Sequence, residues 1–114
     1  MQRTLIVARL DTEDPGRIAD IFGESDASEL PGLIGVSRRT LFQFHGLYFH
    51  LAEADENITD ITPSLYRARS HPLYQDIHDK LAQHLKPYDP AWAEPKDAMA
   101  QPFYTWTAKD GRTL

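Results

Sequence analysis

The order of apolar segments predicts an α+β fold for this chain, a ferredoxin-like split β-α-β sandwich with a four-stranded antiparallel sheet and helices on one face. Residues 3–10 form a β-branched apolar segment, and two further strand-like segments flank His45-Gly46. Helical periodicity follows the first strand and returns after the third. With 114 residues, the chain is predicted to form one domain over residues 1–114.

The first helix is predicted from its start signal. Asp14 suits the N-cap and Pro15 suits the first helical position. The pattern leaves two ends open, at Gly23 or one turn later at Asp26. The predicted apolar face contains Ile18, Ile21 and Phe22.

A β-hairpin is predicted over residues 33–44 and 47–55, after a turn at 30–32. A two-residue turn at His45-Gly46 pairs Leu41 with His50, Gln43 with Tyr48 and Arg39 with Ala52. These six residues then share one sheet face. The opposite face would hold Arg38, Thr40, Phe42, Phe44, Leu47, Phe49, Leu51 and Glu53. A one-residue bulge would exchange part of this pattern.

The second half of the chain predicts two helical stretches and a last strand. Thr59 or Asp60 can cap a helix containing Ile61, Leu65 and Ala68, and the break at 70–72 precedes a second helix. That second helix carries an apolar stripe of Leu73, Ile77, Leu81 and Leu85 and ends before Pro87 and Pro90. Residues 86–97 are an irregular connection anchored by Trp92. Residues 98–108 are predicted to form the last strand, and the tail from 109 to 114 is predicted to be frayed.

The sheet face without helices still carries apolar side chains, which would leave a large patch in contact with water. Packing against a second copy of the chain removes that patch. The sequence therefore predicts a homodimer.

Composition excludes several function classes. The chain has no cysteine, so disulfides, thiol nucleophiles and cysteine-ligated metals are excluded. The net charge of −5 has no long basic run, which argues against nucleic acid as the main partner. No segment approaches the ~18 to 20 apolar residues of a membrane span, and no signal core begins the chain, which favours a cytoplasmic location. The five histidines lack metal-ligand spacing, so no metal is predicted.

One face of the hairpin has the composition of a small-molecule pocket, because a few polar groups lie among apolar and small residues. Arg39 and His50 would be diagonal neighbours within reach of one ligand. Arginine can hold a carbonyl oxygen as it becomes an enolate, and histidine can transfer a proton near neutral pH. A surface arginine and a hydrogen-bonded core histidine are the structural alternatives.

The chain resembles the tetracenomycin F2 cyclase family of aromatic polyketide cyclases over residues 3–108. The resemblance is carried by short motifs in a specific order. They are Ser25-Asp26, Glu29-Leu30-Pro31, Ile34-Gly35-Val36, Arg38-Arg39, Leu41-Phe42, Phe44-His45, Leu47-Tyr48, His50-Leu51, Glu53-Ala54-Asp55, Ala68-Arg69-Ser70-His71-Pro72-Leu73 and Phe103-Tyr104-Thr105-Trp106-Thr107-Ala108.

The resemblance implies a dimeric α/β barrel and a cofactor-free enzyme. Such an enzyme closes a ring of a poly-β-ketone, or of a partly cyclised precursor, by intramolecular aldol condensation and loss of water. It implies Arg39, His50 and Asp26 as catalytic groups, and transient contact with a type II polyketide synthase. Ser25 departs from the family's type member, which has histidine at this position.

Pocket walls are predicted from the side chains that suit a flat ring system. The substrate-binding candidates are Tyr48, Gln43, Leu41, Trp106 and Tyr104. Two rival functions remain at this stage. One is a cofactor-free monooxygenase of the same fold that oxidises an anthrone, and the other is a non-catalytic subunit that shapes the product of a polyketide synthase.

Overall fold

The computed structural model describes residues 2–114 and has the predicted α+β architecture. Four strands form the main sheet in the order β2-β3-β1-β4, and a short β5 also pairs with β1. The strands are β1 (Arg3–Leu10), β2 (Val36–Phe44), β3 (Leu47–Ala54), β4 (Leu85–Lys86) and β5 (Met99–Ala100), followed by β6 (Trp106–Thr107) and β7 (Gly111–Arg112). The helices are α1 (Pro15–Asp26), α2 (Leu30–Ile34), α3 (Thr62–Ala68) and α4 (Pro72–Leu81).

Helix α1 begins as the sequence predicts and takes the longer of the two predicted lengths. The Asp14 side chain caps it by accepting a hydrogen bond from the Gly16 N–H at 3.1 Å. The helix continues past Gly23 to Asp26. This last turn brings Asp26 beside the sheet.

The predicted turn at 30–32 is instead the first part of helix α2. Pro31 lies in its first turn, where proline costs no hydrogen bond. Gly35 ends the helix with φ of 95°. Glycine is favoured here by the backbone angle, and a Cβ at Gly35 would lie 2.6 Å from Ile58 Cδ1, so that the Ile58 side chain would have to shift. Strand β2 consequently starts at Val36 and not at residue 33.

The hairpin has the predicted register. Leu41 pairs with His50, Gln43 with Tyr48 and Arg39 with Ala52, while a bulge between Val36 and Arg38 shifts only the start of β2. His45 and Gly46 both have positive φ, 49° and 75°, as a two-residue turn that matches the twist of the strands requires. The division of side chains between the two faces of the hairpin is therefore confirmed.

Helices α3 and α4 follow the predicted break. The Asp60 carboxylate accepts a hydrogen bond from the Thr62 N–H at 2.9 Å at the start of α3. The His71 side chain caps α4 by accepting from the Leu73 N–H at 3.1 Å. Helix α4 ends at Leu81, so Leu85 does not continue its apolar stripe but lies in strand β4.

The prediction of one last strand over residues 98–108 is wrong. Leu85 and Lys86 pair with the C-terminal end of β1, and Met99 and Ala100 pair with the middle of β1. The residues between these two short strands leave the sheet as a long connection, which we call the 87–98 loop. This loop is the irregular connection that the sequence predicted, but it interrupts the fourth strand of the sheet.

The C-terminal residues form a separate hairpin. Trp106 pairs with Arg112 and Thr107 with Gly111, so the tail predicted to be frayed contains a short strand. Phe103 lies before this hairpin and is 91% exposed. Aromatic and β-branched composition alone therefore does not show whether a segment belongs to the main sheet.

The core lies between the sheet and the helices. It consists of Ile18, Phe22, Leu30, Ile34, Tyr48, Ala52, Ala54, Ile61, Ala68 and Ile77. In the described part of the chain no helix covers the other sheet face, where Phe42 and Phe44 are 51% and 64% exposed. Among residues 2–114, none of the helices has the length and apolar character needed to cross a membrane.

Candidate active site

A cavity of about 530 Å³ opens between the helix-covered face of the sheet and the helices. This volume lies within the ~300 to 1,000 Å³ of small-molecule sites. Its inner wall is formed by Phe22 of α1 and by Arg39, Tyr48 and His50 of the hairpin. Its rim is formed by Arg69 at the end of α3, by Tyr74 and His78 of α4, and by Trp92 and Glu94 of the 87–98 loop.

Arg39 is held by Asp26 in a bidentate ion pair. Arg39 Nε lies 3.1 and 3.0 Å from the two Asp26 carboxylate oxygens, and an Nη2 lies 2.8 Å from Oδ1. The guanidinium also lies over the Phe22 ring, 4.7 Å from its centroid. Because the Arg39 side chain is only 15% exposed, these contacts fix the direction of its remaining N–H groups.

One of those remaining groups meets His50. Arg39 Nη1 lies 2.9 Å from His50 Nε2. A guanidinium can only donate, so Nε2 accepts and the proton of the neutral imidazole is on Nδ1. The Phe22 ring contacts the imidazole edge to face at 5.2 Å. Asp26, Arg39 and His50 thus form a continuous chain that ends at the cavity.

His50 is neutral in this arrangement. Burial, and secondly the positive charge of Arg39, lower the pKa of His50 to about 3. The imidazole therefore carries no charge at neutral pH. It offers an N–H donor and one lone pair, and that lone pair is occupied by Arg39.

Tyr48 lies two residues before His50 on the same strand face, with the two ring centroids 6.2 Å apart. Tyr48 is 4% exposed and borders the cavity. Burial raises the pKa of the Tyr48 phenol, and the opposing effect of Arg39 is smaller, so the hydroxyl keeps its proton.

The other four substrate-binding candidates do not border this cavity. Leu41 lies on the predicted face but packs against the core, and Gln43 is exposed near the end of the hairpin. Tyr104 and Trp106 are 57% and 58% exposed, away from the cavity. For Tyr104 and Trp106 the structure differs from the prediction because the C-terminal segment does not join the main sheet.

Sequence reasoning missed the contribution of the 87–98 loop to the cavity. Trp92 was predicted as an anchor of an irregular connection, and it lines the rim. The loop is fixed to α3 by the Tyr66 hydroxyl, which donates to Glu94 Oε1 at 2.6 Å. It is fixed to β1 by Arg9, whose Nε donates to the Tyr88 carbonyl at 3.1 Å. No local sequence pattern indicates such long-range contacts.

Ser25, where the resemblance implies a histidine, borders the cavity next to Asp26. The side chain at this point of the wall is a hydroxyl and not an imidazole. Within the described residues, no group of three or more histidine, aspartate or glutamate side chains is arranged to hold a metal ion.

Comparisons with known proteins identify the family of this chain. A family model described as polyketide synthesis cyclase matches residues 2–107. Tetracenomycin F2 cyclase of Streptomyces glaucescens is 51% identical over 108 residues, which cover 95% of this chain and 96% of that protein. A protein of Streptomyces cyaneus named polyketide synthase CurG is 41% identical over 107 residues, covering 93% and 97%.

A solved structure of tetracenomycin F2 cyclase, described as a type-II polyketide cyclase, superimposes with a TM-score of 0.85 at 50% identity. The match covers 95% of this chain and 99% of the solved chain. The fold and nearly the full length are therefore shared.

Proposed function

Because this chain belongs to the polyketide synthesis cyclase family, we propose that it closes a ring of an aromatic polyketide precursor by intramolecular aldol condensation and dehydration, without a cofactor. The observation that carries this mechanism is the chain of contacts from Asp26 through Arg39 to His50 at the wall of one cavity.

Arg39 is proposed to bind the oxygen of the β-dicarbonyl unit that becomes an enolate. Asp26 holds the guanidinium from behind, so the cation is positioned before the substrate arrives. A preorganised cation in a partly buried site stabilises developing negative charge without having to reorient. Asp26 is therefore a positioning residue in this mechanism.

His50 is proposed to remove the proton from the methylene carbon. A substrate oxygen that accepts the Arg39 Nη1–H replaces His50 Nε2 as its partner and frees the imidazole lone pair. The enolate that forms lies beside the new imidazolium, and this negative charge favours the protonated ring. The proton transfer and the binding of the enolate by Arg39 are therefore coupled.

Arg39 should contribute more than His50. The pKa of His50 is about 3, which makes it a weak base in the free protein. Each unit of pKa difference between the carbon acid and the base adds about 1.4 kcal/mol to the proton transfer. Stabilisation of the enolate must offset this difference, and Arg39 is the cation in contact with His50 on the cavity wall.

The cavity contributes orientation. A flexible poly-β-ketone has several methylene and carbonyl groups that can react, and the wall decides which pair meets. Correct orientation alone can contribute ~7 to 11 kcal/mol. Control of which ring forms is therefore a main part of the proposed function.

The protein is further proposed to act as a homodimer in the cytoplasm, in transient contact with a type II polyketide synthase. The uncovered sheet face carries the exposed rings of Phe42 and Phe44 and the partly exposed Phe49. Packing this face against a second copy would remove these apolar side chains from water.

The function is tested by adding purified protein to a minimal polyketide synthase and identifying the rings by mass spectrometry and NMR. We expect one ring pattern to be enriched by the wild type and lost with Arg39→Gln and His50→Gln. Unchanged products with both variants, together with an altered pattern after a bulky substitution in the cavity, would favour the product-shaping subunit. Oxygen consumption with an anthrone and no ring closure would favour the monooxygenase.

A further inference from the structure

The hydroxyl of Tyr48 has no hydrogen-bond partner among residues 2–114, although the residue is 96% removed from solvent (4% exposed). A buried tyrosine normally satisfies its hydroxyl. In the same part of the chain, no fully buried side-chain oxygen or nitrogen lacks a partner. The Tyr48 oxygen is therefore not fully enclosed, and Tyr48 is one of the residues that line the cavity.

The surroundings of Tyr48 make its hydroxyl a donor. Burial disfavours the charged phenolate more strongly than the nearby Arg39 favours it. His50, on the same face of β3, already has its lone pair engaged by Arg39 and does not compete for the phenol proton. An O–H group without a protein acceptor is thus presented to any ligand oxygen in the cavity.

We propose that Tyr48 is a further catalytic residue, whose hydroxyl binds the ketone oxygen that is attacked during ring closure and gives it a proton. This proposal rests on the proposed cyclase function and assigns the second half of the reaction. Arg39 holds the oxygen of the nucleophilic enolate, and Tyr48 holds the oxygen of the electrophilic ketone.

The step balances without an added reagent. His50 takes a proton from the methylene carbon, the enolate carbon forms a bond to the ketone carbon, and the π electrons of that carbonyl move to its oxygen. Tyr48 transfers its proton to this alkoxide. The phenolate then regains a proton from the imidazolium of His50, so both side chains return to their starting states. The product is a β-hydroxy ketone, and dehydration then releases one water.

A purely structural role for Tyr48 predicts different behaviour. As a core ring, it would contribute packing, and loss of its oxygen would leave the reaction unchanged. Removing one preorganised donor to an oxyanion typically lowers kcat by about 10²- to 10³-fold. Removing only the hydroxyl oxygen of Tyr48 therefore distinguishes the catalytic role from the structural role.

The test compares Tyr48→Phe with Tyr104→Phe. Tyr104 is 57% exposed and does not border the cavity, so its variant controls for the loss of a phenol oxygen outside the site. The substrate is a polyketide that the wild type cyclises in the ring-closure assay, with tetracenomycin F2 as the first compound tried. For Tyr48→Phe we expect kcat to fall by about 10²-fold with KM changed less than about threefold. For Tyr104→Phe we expect both constants within about threefold of wild type.

A second variant keeps the test decisive if Tyr48→Phe does not fold. Replacement of Tyr48 by 3,5-difluorotyrosine retains the ring and the oxygen but makes the phenol more acidic. We expect a changed kcat and a shifted pH profile with unchanged thermal unfolding. A folded Tyr48→Phe with wild-type kcat, or a difluorotyrosine protein with an unaltered rate and pH profile, overturns the proposal. If Arg39→Gln is inactive in the same assay while Tyr48→Phe is active, this proposal fails and the proposed cyclase mechanism stands.

Discussion

The two faces of the β2–β3 hairpin each carry an arginine, and the surroundings of these two arginines differ. On the helix-covered face, Arg39 lies against Phe22 and is 15% exposed at its side chain. On the opposite face, the Arg38 side chain is 72% exposed, and its Nε lies 3.7 Å from Glu53 Oε1. The two arginines are adjacent in sequence, yet only one of them borders the cavity.

The difference between these arginines shows that sheet alternation decides which cation can act. A strand sends successive side chains to opposite faces. Arg39 is therefore desolvated, held by Asp26 and directed at His50, while the charge of Arg38 is largely screened by water. The same residue type has a chemical role on one face and a small energetic role on the other.

Substitution of the two arginines should give the largest difference between paired variants of all the changes considered. We expect Arg39→Gln to lower kcat for ring closure by about 10²- to 10³-fold, because the enolate loses its positioned cation. Arg38→Gln should leave kcat within about threefold of wild type. Steady-state kinetics on both proteins, with unfolding curves to confirm the fold, make this comparison. Equal losses in the two variants would contradict the assignment of the faces.

The sheet face that carries Phe42 and Phe44 should control dimer formation. We expect the wild type to have twice its chain mass of 13.0 kDa in light scattering at micromolar concentration. Phe42→Lys combined with Phe44→Lys should weaken the dimer by at least about tenfold, because charges would be buried in an apolar contact.

Leu33→Lys is the control for association, since Leu33 is 46% exposed on α2, outside the sheet. This variant should associate like the wild type. A monomer peak for the wild type would rule out the dimer.

The buried imidazole should make stability depend on pH. The pKa of His50 is about 3 in the folded chain, against an ordinary value of 6.5. Between these values the unfolded chain binds the proton and the folded chain does not, so the free energy of unfolding rises with pH. Below pH 6.5 we expect the wild type to lose up to about 1.4 kcal/mol per pH unit more than His50→Gln.

Urea unfolding at pH 5, 6 and 7 measures this difference between the wild type and His50→Gln. His78→Gln serves as the control, because its side chain is 66% exposed. That variant should keep the wild-type slope. A slope in His50→Gln equal to that of the wild type would show that His50 is not the group responsible.

The smallest effect is expected at the C-terminal hairpin. Trp106 is 58% exposed and outside the cavity, so Trp106→Ala should change the free energy of unfolding by about 0.5 kcal/mol or less. Ring-closure kinetics should remain within about twofold of wild type. Trp92→Ala, at the cavity rim, should have the larger effect on KM. A loss of activity in Trp106→Ala would show that Trp106 belongs to the substrate site.

The hairpin could be predicted in detail because its information is local. The turn at His45-Gly46 requires positive φ, and alternation from that turn assigns every side chain to a face. Alternation therefore places Arg39, Tyr48 and His50 on one face without any information on tertiary contacts. The resemblance to polyketide cyclases then added Asp26.

The fourth strand could not be predicted in the same way. Leu85-Lys86 and Met99-Ala100 are each two residues long, too short to show an alternating pattern. The segment from Phe103 to Thr107 has stronger strand composition but does not join the main sheet. Pairing of such short strands depends on the β1 edge that receives them and on the anchors of the 87–98 loop, which lie far away in sequence.

The sequence by itself determined the fold class, the register of the hairpin and the face that carries Arg39, Tyr48 and His50, because backbone alternation and turn geometry act over neighbouring residues. Only the tertiary structure decided what lies opposite that face. Packing of α1 brings Asp26 to Arg39, and enclosure by helices and loop removes water from His50 and Tyr48. Desolvation depends on all surrounding elements together, so the protonation states of the site follow from the folded chain and not from any one segment.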